Sequence, residues 1–123
     1  MNYQKLIMTI NNTQLVDDSF KVINKVTGAR NEYETLIKLD SLKGATNESE
    51  ISIANAYYEI EGTGTVTLHF NDEEKLSATG IDNYGLKPKE DKIKGTGDIK
   101  ITTDANVDKF SLMVECHKEV GFE

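Results

Sequence analysis

Apolar and polar residues alternate along much of the chain, the period that points successive side chains of a strand to opposite faces. Val66, Leu68 and Phe70 alternate with Thr65, Thr67 and His69. Phe110, Leu112, Val114 and Cys116 alternate with Ser111, Met113 and Glu115, and Ile99 and Ile101 with Lys100 and Thr102. Tyr33, Thr35, Ile37 and Leu39 follow the same rule against Glu34, Leu36 and Lys38. So do Leu6, Met8 and Ile10 at the start, and Ile51 with Ile53 in the middle. Thr and β-branched residues, which fit a pleated surface, are frequent in these runs. Turn chemistry separates them at 27–31, 71–74 and 104–106. The pattern predicts an all-β chain, folded over residues 1–123 as a single-domain antiparallel β-sandwich or jelly-roll-like fold.

Two readings stand for residues 13–26. Val16, Phe20 and Ile23 fall at helical spacing, with Thr13 as N-cap and Gly28 as stop, which would make one short helix. The strand reading sets Phe20, Val22 and Val26 on one side and leads into a hairpin with residues 33–39. The Val and Ile content and the turn that follows favour the strand.

A weak repeat links Glu61-Gly62-Thr63-Gly64-Thr65-Val66-Thr67-Leu68 to Lys94-Gly95-Thr96-Gly97-Asp98-Ile99-Lys100-Ile101, an offset of 33 positions. Two copies are too few for a solenoid. They read as two similarly built strand starts, set on facing sheets, where glycine permits a bulge or a close backbone approach. Between the copies, residues 82–94 are the most loop-like stretch, with Tyr84-Gly85 and the single proline, Pro88.

Charge narrows the partners. The 123 residues carry 21 acidic and 14 basic side chains, a net charge of −7, and residues 61–123 hold 13 of the acids against 8 of the bases. Direct nucleic-acid binding and anionic membranes both call for clustered Lys and Arg, so neither is expected. No run approaches the ~18 apolar residues of a membrane-spanning helix, and Leu6-Ile7-Met8 is far shorter than a secretory core. A cytoplasmic or virion-associated location is expected. The single cysteine, Cys116, forms no internal disulfide.

Candidate chemistry is sparse. The Gly-Thr-Gly motifs run on into strands rather than into the helix N-terminus that a phosphate loop needs. His69 and His117 are the only histidines, and Cys116 and His117, adjacent on a strand, point to opposite faces and do not pair. No Cys or His spacing suits zinc. Asp104, Asn106 and Asp108 open like a calcium loop with Glu115 at the twelfth position, but Lys109 stands where such a loop needs glycine. Asp17-Asp18, Glu59 with Glu61, and Asp72-Glu73-Glu74 are paired carboxylates with nothing to set two of them across a cleft. The sequons at Asn11 and Asn47 carry little without a secretion signal.

The sequence therefore predicts no enzyme, no cofactor and no metal. It points to a non-enzymatic interaction or structural module that self-associates or binds a protein partner, on the analogy of compact all-β virion and cell-surface components. Two alternatives accompany it. An acidic inhibitor would cover a basic, nucleic-acid-binding surface of its partner with Asp72, Glu73, Glu74, Glu90 and Asp91. A carbohydrate-binding module would use Tyr57, Tyr58 and Tyr84, one of the adjacent pair facing solvent.

Overall fold

A computed structural model describes residues 10–71, 73–85 and 93–123. Among the described residues, ten strands are arranged in two antiparallel sheets, a jelly-roll-like sandwich. The six-stranded sheet contains β1 (Asn11–Asp17), β2 (Lys21–Gly28), β10 (Val107–Phe122), β4 (Ala45–Gly62) and β7 (Ile81–Gly85) in that order, with β8 (Ile93–Gly95) also on β4. The four-stranded sheet runs β3 (Tyr33–Ile37), β9 (Ile99–Thr103), β5 (Val66–Phe70) and β6 (Glu73–Ala78). A short 3-10 turn, Leu39–Ser41, joins β3 to β4.

The strands with an unbroken alternation fold as their pattern predicts. Val66, Leu68 and Phe70 face inward from β5, Ile99 and Ile101 from β9, and Phe110, Leu112, Val114 and Cys116 from β10. They meet Val22, Val26, Ile51, Ile53, Ala56 and Ile60 in one continuous core. Burial of this apolar surface is the main force holding the sheets together.

Residues 13–26 form neither a helix nor one strand of a hairpin with β3. They span the β1–β2 hairpin, and β2 pairs with β1 and β10 while β3 lies in the other sheet. Asp18 decides the turn: its Oδ1 accepts the N–H groups of Phe20 and Lys21 at 2.8 and 2.9 Å, which also hold its carboxyl below the usual carboxylate range. Val22, Asn24 and Val26 point inward and Phe20 is left exposed, in contrast to the predicted face. Asn24 is tolerated inside because its Nδ2 donates to Asn12 Oδ1 and to the Leu36 carbonyl of β3, stitching one sheet to the other.

One-residue slips explain the remaining differences. At Ala54 the register jumps from Glu115↔Asn55 to Cys116↔Ile53, so Ile51 and Ile53 face inward on one phase and Ala56, Tyr58 and Ile60 on the other. In β3 the slip falls at Leu36, which buries Leu36 and Ile37 together and leaves Tyr33 exposed, whereas the alternation placed Tyr33 on the inner face.

The repeat lies in one sheet, on neighbouring strands, rather than on facing sheets. β5 and β9 pair through Val66↔Thr103, Leu68↔Ile101 and Phe70↔Ile99, and shifting each residue by its repeat offset exchanges the two strands. A local two-fold thus passes between Leu68 and Ile101. Its two ends match bond for bond. Thr65 N–H donates to Asp104 Oδ2 at 3.0 Å and Asp104 N–H to the Thr65 carbonyl at 3.3 Å. At the opposite end Asp98 N–H donates to Asn71 Oδ1 at 3.3 Å and Asn71 N–H to the Asp98 carbonyl at 2.8 Å. Gly64 and Gly97 lie directly beneath these Asx side chains, where any Cβ would overlap Asp104 or Asn71. Close backbone approach is what Gly64 and Gly97 of the Gly-Thr-Gly motifs provide.

Candidate functional site

Core side chains pack between the sheets over the described residues, and a polar hollow of about 270 Å³ opens at one end, between Asp40, Thr46 and Ser49 on one side and Asn71 and Asp98 on the other. Cys116 is fully enclosed, and burial, with a smaller push from the Glu115 charge, drives its thiol far above the ordinary range. His117 faces out of the six-stranded sheet with Nε2 2.9 Å from Glu115 Oε2. His69 faces out of the four-stranded sheet, its Nε2 2.9 Å from Thr102 Oγ1. Neither histidine shares a face with the Cys116 thiol.

The outer face of the six-stranded sheet is the more shaped of the two. Cross-strand pairing sets three rows there: Thr27, Ser111 and Glu59; Lys25, Met113 and Tyr57; Ile23, Glu115 and Asn55. Small hydroxyl side chains in the first row leave a depression of about 300 Å³, floored by Thr27 and Ser111 and walled by Glu59, Glu61 and Lys109. Lys109 Nζ is 3.6 Å from Glu61 Oε2. Tyr57 O–H donates to Glu59 Oε2 at 2.9 Å, and that bond together with the Glu59 charge raises the phenol above its usual value. A second hollow of about 80 Å³ adjoins the first along β10, between Ile23, Tyr57, Met113 and Glu115.

The residues singled out in the sequence are mostly dispersed. Tyr57 faces solvent and Tyr58 faces inward, one of each as expected, with burial and the nearby Asp82 charge raising the Tyr58 phenol. Tyr84 pairs with Ala56 and packs against the core, so the three tyrosines divide between opposite faces. Glu73 and Glu74 lie on β6, the edge of the other sheet, where Glu73 is bridged by Lys75 at 2.9 Å. Asp72, Glu90 and Asp91 lie outside the described residues. In the calcium-like segment Asp104 spends its carboxylate on the N–H groups of Asn106 and Thr65, and Asp108 turns to Arg30, 3.5 Å away. Among the described residues, no group of three or more His, Cys, Asp or Glu is placed to hold a metal ion, and no helix is long and apolar enough to cross a membrane.

Glu59 and Glu61 were visible as a carboxylate pair, but Thr27, Ser111, Met113 and Ile23 were not visible as their neighbours. Outward position in an alternating strand was the available signal; the cross-strand register that brings them together was not.

No family model and no curated protein matches the chain. Among solved structures it is similar to a cupin domain from Bordetella pertussis at 7% identity, over 95% of this chain and 100% of that one, with a TM-score of 0.45. A cupin superfamily protein from Desulfitobacterium hafniense matches at 11% identity over 96% and 84%, with a TM-score of 0.44. An RmlC-like cupin protein with a double-stranded β-helix fold from Methanocaldococcus jannaschii matches at 16% identity over 94% and 86%, with a TM-score of 0.39. Likenesses at this level assign no residue and no activity to the chain.

The expected function needs correction. The self-associating assembly module, drawn on the analogy of virion and surface components, is withdrawn: the neighbours found are cupin proteins. Among the described edge strands, β3, β6, β7 and β8 are no longer than six residues and β6 opens with Glu73, Glu74 and Lys75, whereas β1, the seven-residue edge Asn11–Asp17, carries a single charge. Short, charged edges resist pairing with another chain. Tyr57, Tyr58 and Tyr84 divide between two faces and make no joint sugar platform, while of the acids assigned to an inhibitor surface Glu73 and Glu74 share the edge strand β6 and the other three lie outside the described residues.

Proposed function

We propose that this chain is a non-catalytic binding module that takes a small-molecule ligand on the outside of its six-stranded sheet, in the depression between Glu59 and Lys109. The observation that carries this reading is the contrast between the two sides of that sheet. The inner side is closed by packed Ile, Val and Leu side chains. The outer side offers a hollow of about 300 Å³ with hydroxyl, carboxylate and ammonium groups at its walls, the low end of the size range of small-molecule sites. A non-catalytic role is supported by the enclosure of Cys116, whose thiol lies in the core on the opposite face from both histidines, with burial holding its proton.

A mixed library of cationic, neutral and anionic fragments, followed by 15N amide shifts, tests the proposal. Binders should perturb Thr27, Glu59 and Ser111 together. Perturbations confined to core residues such as Ile99 and Val114, or none from any fragment, would overturn it.

A further inference from the structure

The chemical class of the ligand follows from how the charges of this face are already spent. Glu61 is bridged by Lys109, and Glu115 is bonded to His117. Glu59 differs from Glu61 in that its bonded partner is the neutral Tyr57 hydroxyl, and from Glu115 in that it lines the depression of about 300 Å³. A carboxylate held by a phenol retains its full charge and capacity to accept from a cation. Tyr57 is 50% exposed beside that carboxylate, and an aromatic ring next to a carboxylate is the pairing that favours an ammonium group over a neutral donor.

The neighbouring row supplies the rest. Met113 is 43% exposed and, with Ile23 and Tyr57, borders the second hollow. Rows on one face of a strand are about 6.8 Å apart, the reach of a short alkyl chain. Lys25 stands across from Met113, which places the cationic end of a ligand at Glu59 and not at the Met113 end. We infer that the site takes an organic ammonium ion with a short apolar arm, its head on Glu59 and Tyr57 and its arm over Met113 and Ile23. This rests on the preceding assignment of the outer face as the ligand site. An anion of the same shape would meet the Glu59 carboxylate, and a neutral molecule would leave it unmatched.

Titration of the full chain with n-pentylammonium, 1-pentanol and pentanoate, read by 15N amide shifts, tests the inference. The ammonium should shift Tyr57, Glu59, Ser111 and Met113, and E59Q should weaken it about tenfold, the loss expected for one charge-assisted bond. Glu59 is exposed, so E59Q keeps the fold, which its own spectrum verifies. Equal shifts at these amides from the alcohol, stronger binding of the pentanoate, or undiminished ammonium binding by E59Q would overturn the cation while leaving the site. Silence of these amides to all three probes would overturn the cation, and the fragment library separately decides the site.

Discussion

Lys118 Nζ lies 2.6 Å from Asp17 Oδ1, with the lysine side chain 1% exposed and the aspartate 16% exposed. The same ammonium donates to the carbonyls of Asp18 and Lys43 at 2.6 and 2.8 Å, so its three protons meet three acceptors. Asp17 Oδ2 in turn accepts the Lys43 N–H at 2.9 Å. One side chain of β10 thereby ties down the β1–β2 turn and the start of β4. Removing one partner of a buried pair strands the other, so Lys118→Met should cost about 3 kcal/mol in urea unfolding. Asp17→Asn should cost less, because Lys118 keeps both carbonyls. A Lys118→Met chain within about 0.5 kcal/mol of the parent, the range of ordinary surface changes, would show that the pin is idle.

Cys116 should be inert to thiol reagents in the native chain and react fully once denaturant opens the core. Its elevated pKa also sets a pH dependence. The folded thiol keeps its proton above about pH 8.5, where the unfolded thiol loses it. The stabilisation is complete below that pH and declines above it, by at most about 1.4 kcal/mol per pH unit. Cys116→Ala should remove this slope from the pH profile of unfolding; an unchanged slope would assign it elsewhere.

Gly64→Ala and Gly97→Ala occupy equivalent positions but should differ in severity. A Cβ at Gly64 meets the backbone of Asn106 and Val107 as well as Asp104, whereas at Gly97 the three nearest atoms all belong to the Asn71 side chain. Overpacking against fixed backbone costs about 1–3 kcal/mol, and a side chain can yield. Thermal unfolding should rank Gly64→Ala well below Gly97→Ala; the reverse order would mean the Asn71 turn is the more rigid.

Glu59→Gln should bring the Tyr57 phenol back down toward its ordinary value, because both the accepting carboxylate and its charge are removed. Ultraviolet titration of the tyrosines checks this, with one transition moving to lower pH. No movement would mean that the Tyr57–Glu59 bond does not persist in solution.

The fold was legible wherever one alternation phase runs unbroken, as in Val66 to Phe70, Ile99 to Ile101 and Phe110 to Cys116. It was obscured where a single residue slips the register. Ala54 is an ordinary alanine, yet it decides which of Tyr57 and Tyr58 is buried, and nothing in its type announces that. Leu36 does the same to β3. At residues 13–26 the turn at Asp18 divides one apparent segment into two strands, and the spacing of Val16, Phe20 and Ile23 mimicked a helix across it.

The candidate site was legible only in part. Tyr57, Glu59 and Glu61 are near neighbours in sequence and could be noted together. Thr27 and Ser111 join them through pairings between strands 50 or more residues apart along the chain, a relationship that only the folded register creates.

Because β5 and β9 exchange under a two-fold, the two ends of the four-stranded sheet are one local design used in opposite directions, with aspartate in one copy and asparagine in the other. Each end is thus an internal control for its twin. Asp104→Asn would make the two clamps chemically alike, so the change it produces isolates what a single carboxylate charge adds to an otherwise shared turn.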